Sequence, residues 1–330
     1  MFLNEPLSFQ KAIALSEKVR VESTLSDNLL SASVAGLKFR NPTALASGIL
    51  GYTADSLLSI VESGAGAVVT KSVGAKPRLG YANPTVVQTQ CGLINAMGLP
   101  NPGIDLYTEE ISNFKTLLKV PLIVSIFGYS AEEYAQVAEK VVKAGADAVE
   151  LNVSCPHVKQ TGSEIGQNPR LLFEVVGKVR ASVGKPLVVK LSPNVSDLAE
   201  MAEVAVRAGA DALTAINTVK ALAIDVDTML PVLSNVRGGL SGPAVKPIAL
   251  RCVYDVYENV KVPILGCGGI TTWQDAVEFL LAGASVVQIG TAVALRSPGV
   301  FRAVNRGIGK YLNKKGCKNV KEIVGLAHRT

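Results

Sequence analysis

The chain has 330 residues, of which 48% are hydrophobic, so it can bury the core of one large domain or of two modest ones. Its net charge of +6 is scattered along helical segments without a basic run or interleaved aromatic residues, which disfavours nucleic-acid binding. No apolar run reaches the roughly 20 residues of a membrane span and the N-terminus lacks a cleavable signal pattern, so we expect a cytoplasmic protein.

The first segment, residues 1–30, contains LSFQKAIALSEKV, with apolar residues at helical spacing. This pattern predicts a short amphipathic helix packed on the main body. We therefore divide the chain into an N-terminal extension, residues 1–30, and a single catalytic domain, residues 31–330. The domain is expected to open with Val34 to Asn41, followed by a short buried strand in TALASG that ends at Ser47 and Gly48.

Four stretches share one pattern, in which a helix end is followed by Gly, Ala and an apolar strand with a polar or glycine end. They are SGAGAVVTK (63–71), KAGADAVELN (143–152), RAGADALTAIN (207–217) and LAGASVVQIGT (281–291). Three further strand candidates lie between them, PLIVSIFG (121–128), KPLVVKLSPN (185–194) and VPILGCGGI (262–270). With the first strand, these make about eight βα units. The repetition predicts an α/β fold, a closed (β/α)8 TIM barrel.

Two connections, Val73 to about Asn113 and Val219 to Pro247, are longer than the few residues that such loops usually take. Long loops in a compact barrel are typically functional, so we expect both to cover the C-terminal rim as lids or binding loops.

The residues at the carboxyl ends of the predicted strands are the candidates for chemistry, because barrel enzymes place their sites at that rim. They are Ser47, Lys71, Ser125, Asn152, Lys190, Asn217, Gly268 and Thr291. Lys71 and Lys190 follow apolar residues within inner strands, which favours a bound anion or a polarised carbonyl over a surface ion pair. The glycines of GCGGI and QIGTA close the last two strands, where many barrels bind phosphate.

The stretch AVELNVSCPH (148–157) alternates apolar and polar residues as a strand does, and Pro156 ends the pairing. It delivers Asn152, Ser154 and Cys155 to the rim, with Cys155 as a candidate nucleophile or base. The five cysteines form no Cys-x-x-Cys pair, which argues against a metal or iron–sulfur site in this chain, so none is assigned. The four other cysteines are interpreted as packing residues; they are Cys91, Cys252, Cys267 and Cys317.

Several motifs in this order resemble the catalytic chain of class 1B dihydroorotate dehydrogenases, from about Val34 to about Ala303. They are NAMGLPNPG (95–103), ELNVSCP (150–156), KLSPNV (190–195), INT (216–218), GGLSGPAVKPIAL (238–250) and GCGGI (266–270). The resemblance implies one FMN per barrel and oxidation of dihydroorotate to orotate in pyrimidine synthesis. It also implies a homodimer, or a heterotetramer with a second subunit that carries FAD and a [2Fe-2S] cluster and passes electrons to NAD.

The resemblance also implies individual roles. Cys155 would be the base that removes the C5 proton of dihydroorotate. The substrate would contact Lys71, Asn95, Ala96, Met97, Gly98, Leu99, Asn152, Asn217 and Thr218. FMN would contact Ser47, Lys71, Ser72, Ser125, Asn152, Lys190, Ile216, Gly242, Gly268, Gly269, Gly290 and Thr291, the last four mainly through its phosphate.

Two departures from the family pattern bear on this interpretation. His157 follows Cys-Pro where class 1B chains usually have Asn, and the Cys-Pro-His version resembles the pyrimidine-reducing domain of dihydropyrimidine dehydrogenase. A related flavin enzyme acting on uracil or thymine is therefore the alternative function. Ser125 stands where the family usually has a flavin-contacting Asn. A third hypothesis is a sugar-phosphate aldolase or isomerase in which Lys71 or Lys190 forms a Schiff base.

Overall fold

The computed structural model describes residues 29–153 and 165–329. Cys155 and His157 lie outside these ranges, and so does all but the last two residues of the predicted N-terminal extension. The division into residues 1–30 and 31–330 therefore stays a prediction. Within the described ranges, no helix has both the length and the apolar character that crossing a membrane requires.

Eight parallel strands close into a barrel in chain order, which confirms the predicted (β/α)8 fold. A short antiparallel hairpin, β1 (Ala32–Val34) and β2 (Leu37–Phe39), precedes them. The barrel strands are β3 (Thr43–Leu45), β4 (Ala67–Val69), β7 (Leu122–Ile126), β8 (Ala148–Asn152), β9 (Leu187–Leu191), β10 (Ala212–Ala215), β15 (Ile264–Cys267) and β16 (Val286–Ile289). Most of their residues are buried on both faces, as parallel strands between helices require.

Helices surround the barrel and pack on it through apolar stripes. Those in the described ranges are α1 (Ala54–Glu62), α2 (Ile104–Leu117), α3 (Ala131–Lys143), α4 (Pro169–Ser182), α5 (Leu198–Arg207), α6 (Lys246–Asn259), α7 (Trp273–Leu281), α8 (Thr291–Arg296) and α9 (Val300–Lys315). Side chains such as Thr53, Ser130 and Asp197 accept hydrogen bonds from the first turns of α1, α3 and α5.

The predicted Gly-Ala repeat corresponds to the same turn at four places in the barrel. Gly64, Gly145, Gly209 and Gly283 each follow a helix end with φ between +108° and +117°, a conformation that L-residues rarely adopt. The chain then reverses and enters the next barrel strand. The repeat therefore encodes the turn from helix back to strand.

The two long connections pair with each other, which the sequence alone did not indicate. The first forms a hairpin, β5 (Val86–Thr89) and β6 (Gly92–Asn95), and the second contributes β11 (Val219–Ala221) and β14 (Gly238–Ser241). Together they make an antiparallel sheet in the order β11-β14-β6-β5. A second small hairpin, β12 (Ile224–Asp225) and β13 (Leu230–Pro231), projects between β11 and β14.

Candidate active site

A cavity of about 430 Å³ opens at the carboxyl ends of the barrel strands, between the strand ends and the four-stranded sheet. Its wall combines residues from separate strands with residues from both long connections. The predicted site residues that line it are Ser47, Lys71, Ser72, Asn95, Met97, Gly98, Leu99, Asn152, Lys190, Ile216, Asn217, Thr218, Gly242, Gly268, Gly269, Gly290 and Thr291. The barrel thus brings together residues that are up to 244 positions apart along the chain, from Ser47 to Thr291.

Two asparagines and a serine form a hydrogen-bonded series along one side of the cavity. Asn217 Nδ2 donates to Asn152 Oδ1 at 3.2 Å, and Asn152 Nδ2 donates to Ser72 Oγ at 3.0 Å. The Asn217 side chain is fixed further because its Oδ1 accepts from the backbone N–H of Thr218 at 2.8 Å. This series holds carboxamide groups in set orientations at the cavity wall.

Lys71 and Lys190 enter the same cavity, and Lys190 is only 5% exposed. Within the described ranges, neither ammonium group hydrogen-bonds to a side chain or pairs with a carboxylate. Burial lowers the pKa of Lys71 from its ordinary value. Charges removed from water are normally neutralised, so two cations that no described carboxylate neutralises indicate that the cavity takes an anionic ligand.

Another part of the cavity wall is built from glycines. Gly242, Gly268 and Gly269 have φ of +95°, +141° and +75°, and an added Cβ would lie 2.8 Å or less from a neighbouring atom at each of them. Next to them, Thr291 Oγ1 donates to Ser241 Oγ at 2.8 Å. Glycines leave the backbone N–H groups open to close approach, which is typical of phosphate sites.

Two predicted site residues do not line the cavity. Ser125 is fully buried in β7, where its Oγ lies 2.9 Å from Ser72 Oγ, so it contacts the wall only through that serine. Ala96 is also fully buried and packs with Ile94 and Leu233 on the face of the four-stranded sheet that points away from the cavity. Ser125 faces the barrel interior, in register with Glu150, but lies deeper than the cavity wall. Ala96 does face away, because it alternates with Asn95, which lines the cavity. The positions of Cys155 and His157 are outside the described ranges.

The barrel interior below the cavity contains a polar group that sequence reasoning missed. Glu150 is fully buried, and its Oε2 accepts from Thr214 Oγ1 at 2.9 Å and from Gln288 Nε2 at 3.0 Å. Gln288 also lines the cavity. The available signal was a polar residue at an inward position of an otherwise apolar strand, as in VVQIG and AVELN.

Cys267 also lines the cavity, at the end of β15. Burial raises the pKa of its thiol, and the Glu150 carboxyl acts in the same direction, while Lys190 opposes them. A thiol with a raised pKa is a poor base at neutral pH. This supports its interpretation as a packing residue.

Comparison with known proteins agrees with this geometry. The family model for dihydroorotate dehydrogenase matches residues 29–312. The chain belongs to the dihydroorotate dehydrogenase family. It is 55% identical over 299 residues to the Pyrococcus abyssi protein named dihydroorotate dehydrogenase B (NAD(+)), catalytic subunit, a match that covers 91% of this chain and 99% of the relative. The protein of the same name from Methanosarcina mazei is 48% identical over 297 residues, covering 90% of this chain and 94% of the relative.

A solved structure shares the fold. The crystal structure of DHODH from Eimeria tenella in complex with ferulenol matches with a TM-score of 0.81 and 24% identity, covering 99% of this chain and 97% of that one. At this identity the match supports the barrel architecture alone. Membership of the family places the chain among oxidoreductases, as the sequence analysis predicted.

Proposed function

We propose that this chain oxidises dihydroorotate to orotate with one bound FMN, as the catalytic subunit of a class 1B enzyme. The observation that carries the proposal is that Lys71 and Lys190, which no carboxylate of the described ranges neutralises, share one cavity with oriented carboxamides. The same cavity contains Gly242, Gly268 and Gly269, here called the glycine cradle. Orotate and dihydroorotate supply a carboxylate and a cyclic imide-like ring, and FMN supplies a phosphate. The charges and donors of the cavity complement these groups.

The residues present suit FMN at the glycine-rich part of the cavity wall. Gly268, Gly269, Gly290 and Thr291 would hold the phosphate through backbone N–H groups at the ends of β15 and β16. Lys190 would face the flavin ring and stabilise negative charge on it in the reduced form. When bound, FMN supplies an acceptor for the hydride that leaves C6 of dihydroorotate.

The carboxamide side of the cavity suits the pyrimidine. Asn152 and Asn217 would hydrogen-bond to the ring amides. Asn95 would do the same, and its side chain is held by the sheet because its Nδ2 donates to Gly239 O at 3.2 Å. Lys71 would pair with the substrate carboxylate, which offsets the cost of burying both charges. Because the described carboxamides are already fixed by hydrogen bonds, little ordering is needed when substrate binds.

We assign Cys155 as the base that takes the C5 proton as the hydride leaves C6. The assignment rests on the ELNVSCP motif and on β8, which ends at Asn152 three residues before the cysteine. A thiol suits this task because its ordinary pKa, about 8.5, can be brought within reach of neutrality. The two electrons of the C6–H bond leave with the hydride, and the C5 proton stays on the protein until it is exchanged with water.

The electron acceptor is proposed to be NAD, reached through a second subunit that carries FAD and a [2Fe-2S] cluster. The names of the relatives include both NAD(+) and the words catalytic subunit.

The hairpin between β11 and β14 exposes Ile224, Val226, Met229 and Leu230, an apolar surface of the kind that proteins cover in an assembly. We expect sedimentation velocity of the purified chain to give a dimer, and co-expression with such a subunit to give a heterotetramer with NAD-dependent turnover.

The test is the visible spectrum of the FMN-loaded chain under anaerobic conditions. We expect dihydroorotate to bleach the flavin absorbance, and Cys155→Ala to slow the bleaching about 10²- to 10⁴-fold, the usual contribution of a general base. Cys317→Ala, which removes a thiol beyond the end of α9, is the matched control and should bleach at the wild-type rate.

Two outcomes would contradict the proposal. Bleaching by dihydrouracil and not by dihydroorotate would move the substrate to a neutral pyrimidine. A folded chain that does not bind FMN would exclude the flavin reaction altogether.

A further inference from the structure

The loop after β3 is built against the backbone of Lys71. Gly51 has φ +105°, and an added Cβ there would lie 3.0 Å from the backbone nitrogen of Lys71. The hydroxyl of Tyr107, a buried residue of α2, donates to Gly51 O and fixes the loop from the other side. The next residue, Tyr52, therefore has a set position beside Lys71.

The ring of Tyr52 faces the ammonium group of Lys71. The Nζ atom lies 4.3 Å from the ring centroid, which is within the range of a cation–π contact. Burial destabilises the charged form of Lys71, and no carboxylate of the described ranges compensates for it. The aromatic face is the compensating group that the structure provides.

The hydroxyl of Tyr52 makes a second and separate contact. It donates to Pro100 O, in the segment that follows Asn95 and whose residues Met97 to Pro100 line the cavity. Burial raises the pKa of Tyr52 to about 12, so the phenol stays protonated and able to donate at neutral pH. One side chain thus contacts both the cation and the loop that border the same part of the cavity.

We propose that Tyr52 is a positioning residue that holds the charged Lys71 side chain and the Met97–Pro100 loop together around the substrate carboxylate. The part that concerns the carboxylate rests on the proposed function. Tyr52 itself does not line the cavity, so its effect on the ligand passes through Lys71 and through the loop. A tyrosine that served only to fill space would affect folding but would not be coupled to Lys71 in ligand binding.

The first test is a double-mutant cycle on orotate affinity, measured by titrating the flavin absorbance of the FMN-loaded chain. We expect Tyr52→Leu to weaken orotate binding about 2- to 30-fold, the range of a cation–π contact that is partly to fully desolvated. In the Lys71→Met background the same change should weaken orotate binding only about as much as Tyr52→Phe does, because the cation is already gone and just the bond to Pro100 remains to be lost. Tyr52→Phe keeps the ring and removes only the bond to Pro100, so it should lower orotate affinity less than Tyr52→Leu does.

Tyr311→Leu is the matched control, since Tyr311 of α9 also lies under a lysine, with Lys315 Nζ 5.9 Å from its ring centroid, but away from the cavity. It should leave orotate affinity unchanged. Equal losses for Tyr52→Leu with and without Lys71 would overturn the proposal. Thermal unfolding and FMN content of every variant show whether a loss comes from misfolding.

A second measurement does not depend on the substrate. Acylation of Lys71 by acetic anhydride, followed by peptide mass spectrometry, should be faster in Tyr52→Leu than in the wild type, because the ring favours the unreactive ammonium form and covers it. Unchanged acylation would overturn the proposal. If the wild type fails to bind orotate while Tyr52→Leu still speeds acylation, the substrate assignment fails and the contact between Tyr52 and Lys71 stands.

Discussion

Two glycines of α9 differ in whether the structure has space for a methyl group at their position. A Cβ added to Gly307 would lie 2.1 Å from Cγ of Trp273, the first residue of α7. A Cβ added to Gly309, two residues further along the same helix, would meet nothing within 4 Å. The first glycine is required by the close approach of two helices, and the second is not.

We therefore expect Gly307→Ala to lower the free energy of unfolding by about 1–3 kcal/mol, because the indole must move out of its packed position. Gly309→Ala should raise it by up to about 1 kcal/mol, since alanine favours the helix and costs no space here. Urea unfolding of both variants measures the difference. Similar stabilisation by both substitutions would show that α7 and α9 are not packed as described.

At the scale of elements, an ion pair joins the beginnings of α6 and α7 behind the glycine cradle. Lys246 Nζ lies 2.8 Å from Asp275 Oδ1 and 3.0 Å from Glu278 Oε2. Asp275 also caps α7, because it accepts from the backbone N–H groups of Thr271 and Thr272. A Cβ on Gly269 would lie 2.7 Å from the backbone nitrogen of Lys246, so this ion pair fixes the helix start against which the cradle rests.

The same pair predicts a pH dependence of stability. Burial alone would raise the pKa of Asp275, but hydrogen bonds from Lys246, Thr271 and Thr272 outweigh it and lower the pKa to about 2. Because the pKa is lower in the folded state, the charged Asp275 stabilises the fold at pH values above its ordinary pKa of 3.8. This contribution is lost as the pH falls towards 2. We expect Asp275→Asn to lower the free energy of unfolding by about 1–2 kcal/mol at pH 7, and by progressively less as the pH falls below 4. Urea unfolding at several pH values tests this, and a cost independent of pH would contradict it.

At the scale of the whole molecule, the barrel and the four-stranded sheet are each stabilised by an apolar cluster of their own. The main core includes the barrel strands and the helices around them, while Ile94, Ala96 and Leu233 form a small cluster on the outer face of the four-stranded sheet. Because few apolar contacts hold the sheet, we expect it to open independently of the barrel.

Leu233→Ala should therefore speed hydrogen exchange in residues 86–95 and 219–241 and weaken orotate binding, with a small effect on global unfolding. Leu213→Ala, in β10 of the barrel and fully buried, is the matched comparison. It should lower the free energy of global unfolding by about 2–5 kcal/mol. Equal effects of both variants on global unfolding would show that sheet and barrel unfold as one unit.

The sequence by itself determined the barrel and most of the cavity wall. Gly-Ala turns at Gly64, Gly145, Gly209 and Gly283 carry local information, because a positive φ is a property of one residue. Once the strands were known to be parallel, their carboxyl ends had to meet, so Lys71, Asn152, Lys190 and Asn217 could be placed at one rim.

Only the tertiary structure decided which residues meet across long distances. The pairing of β6 with β14 joins residues about 145 positions apart, and no local pattern specifies such a register. Strand periodicity indicates the face of a residue but not its depth, which is why Ser125 lies behind Ser72 and Glu150 lies in a layer below the cavity. The contact of Tyr52 with Lys71 and Pro100 likewise depends on three loops that converge only in the folded chain.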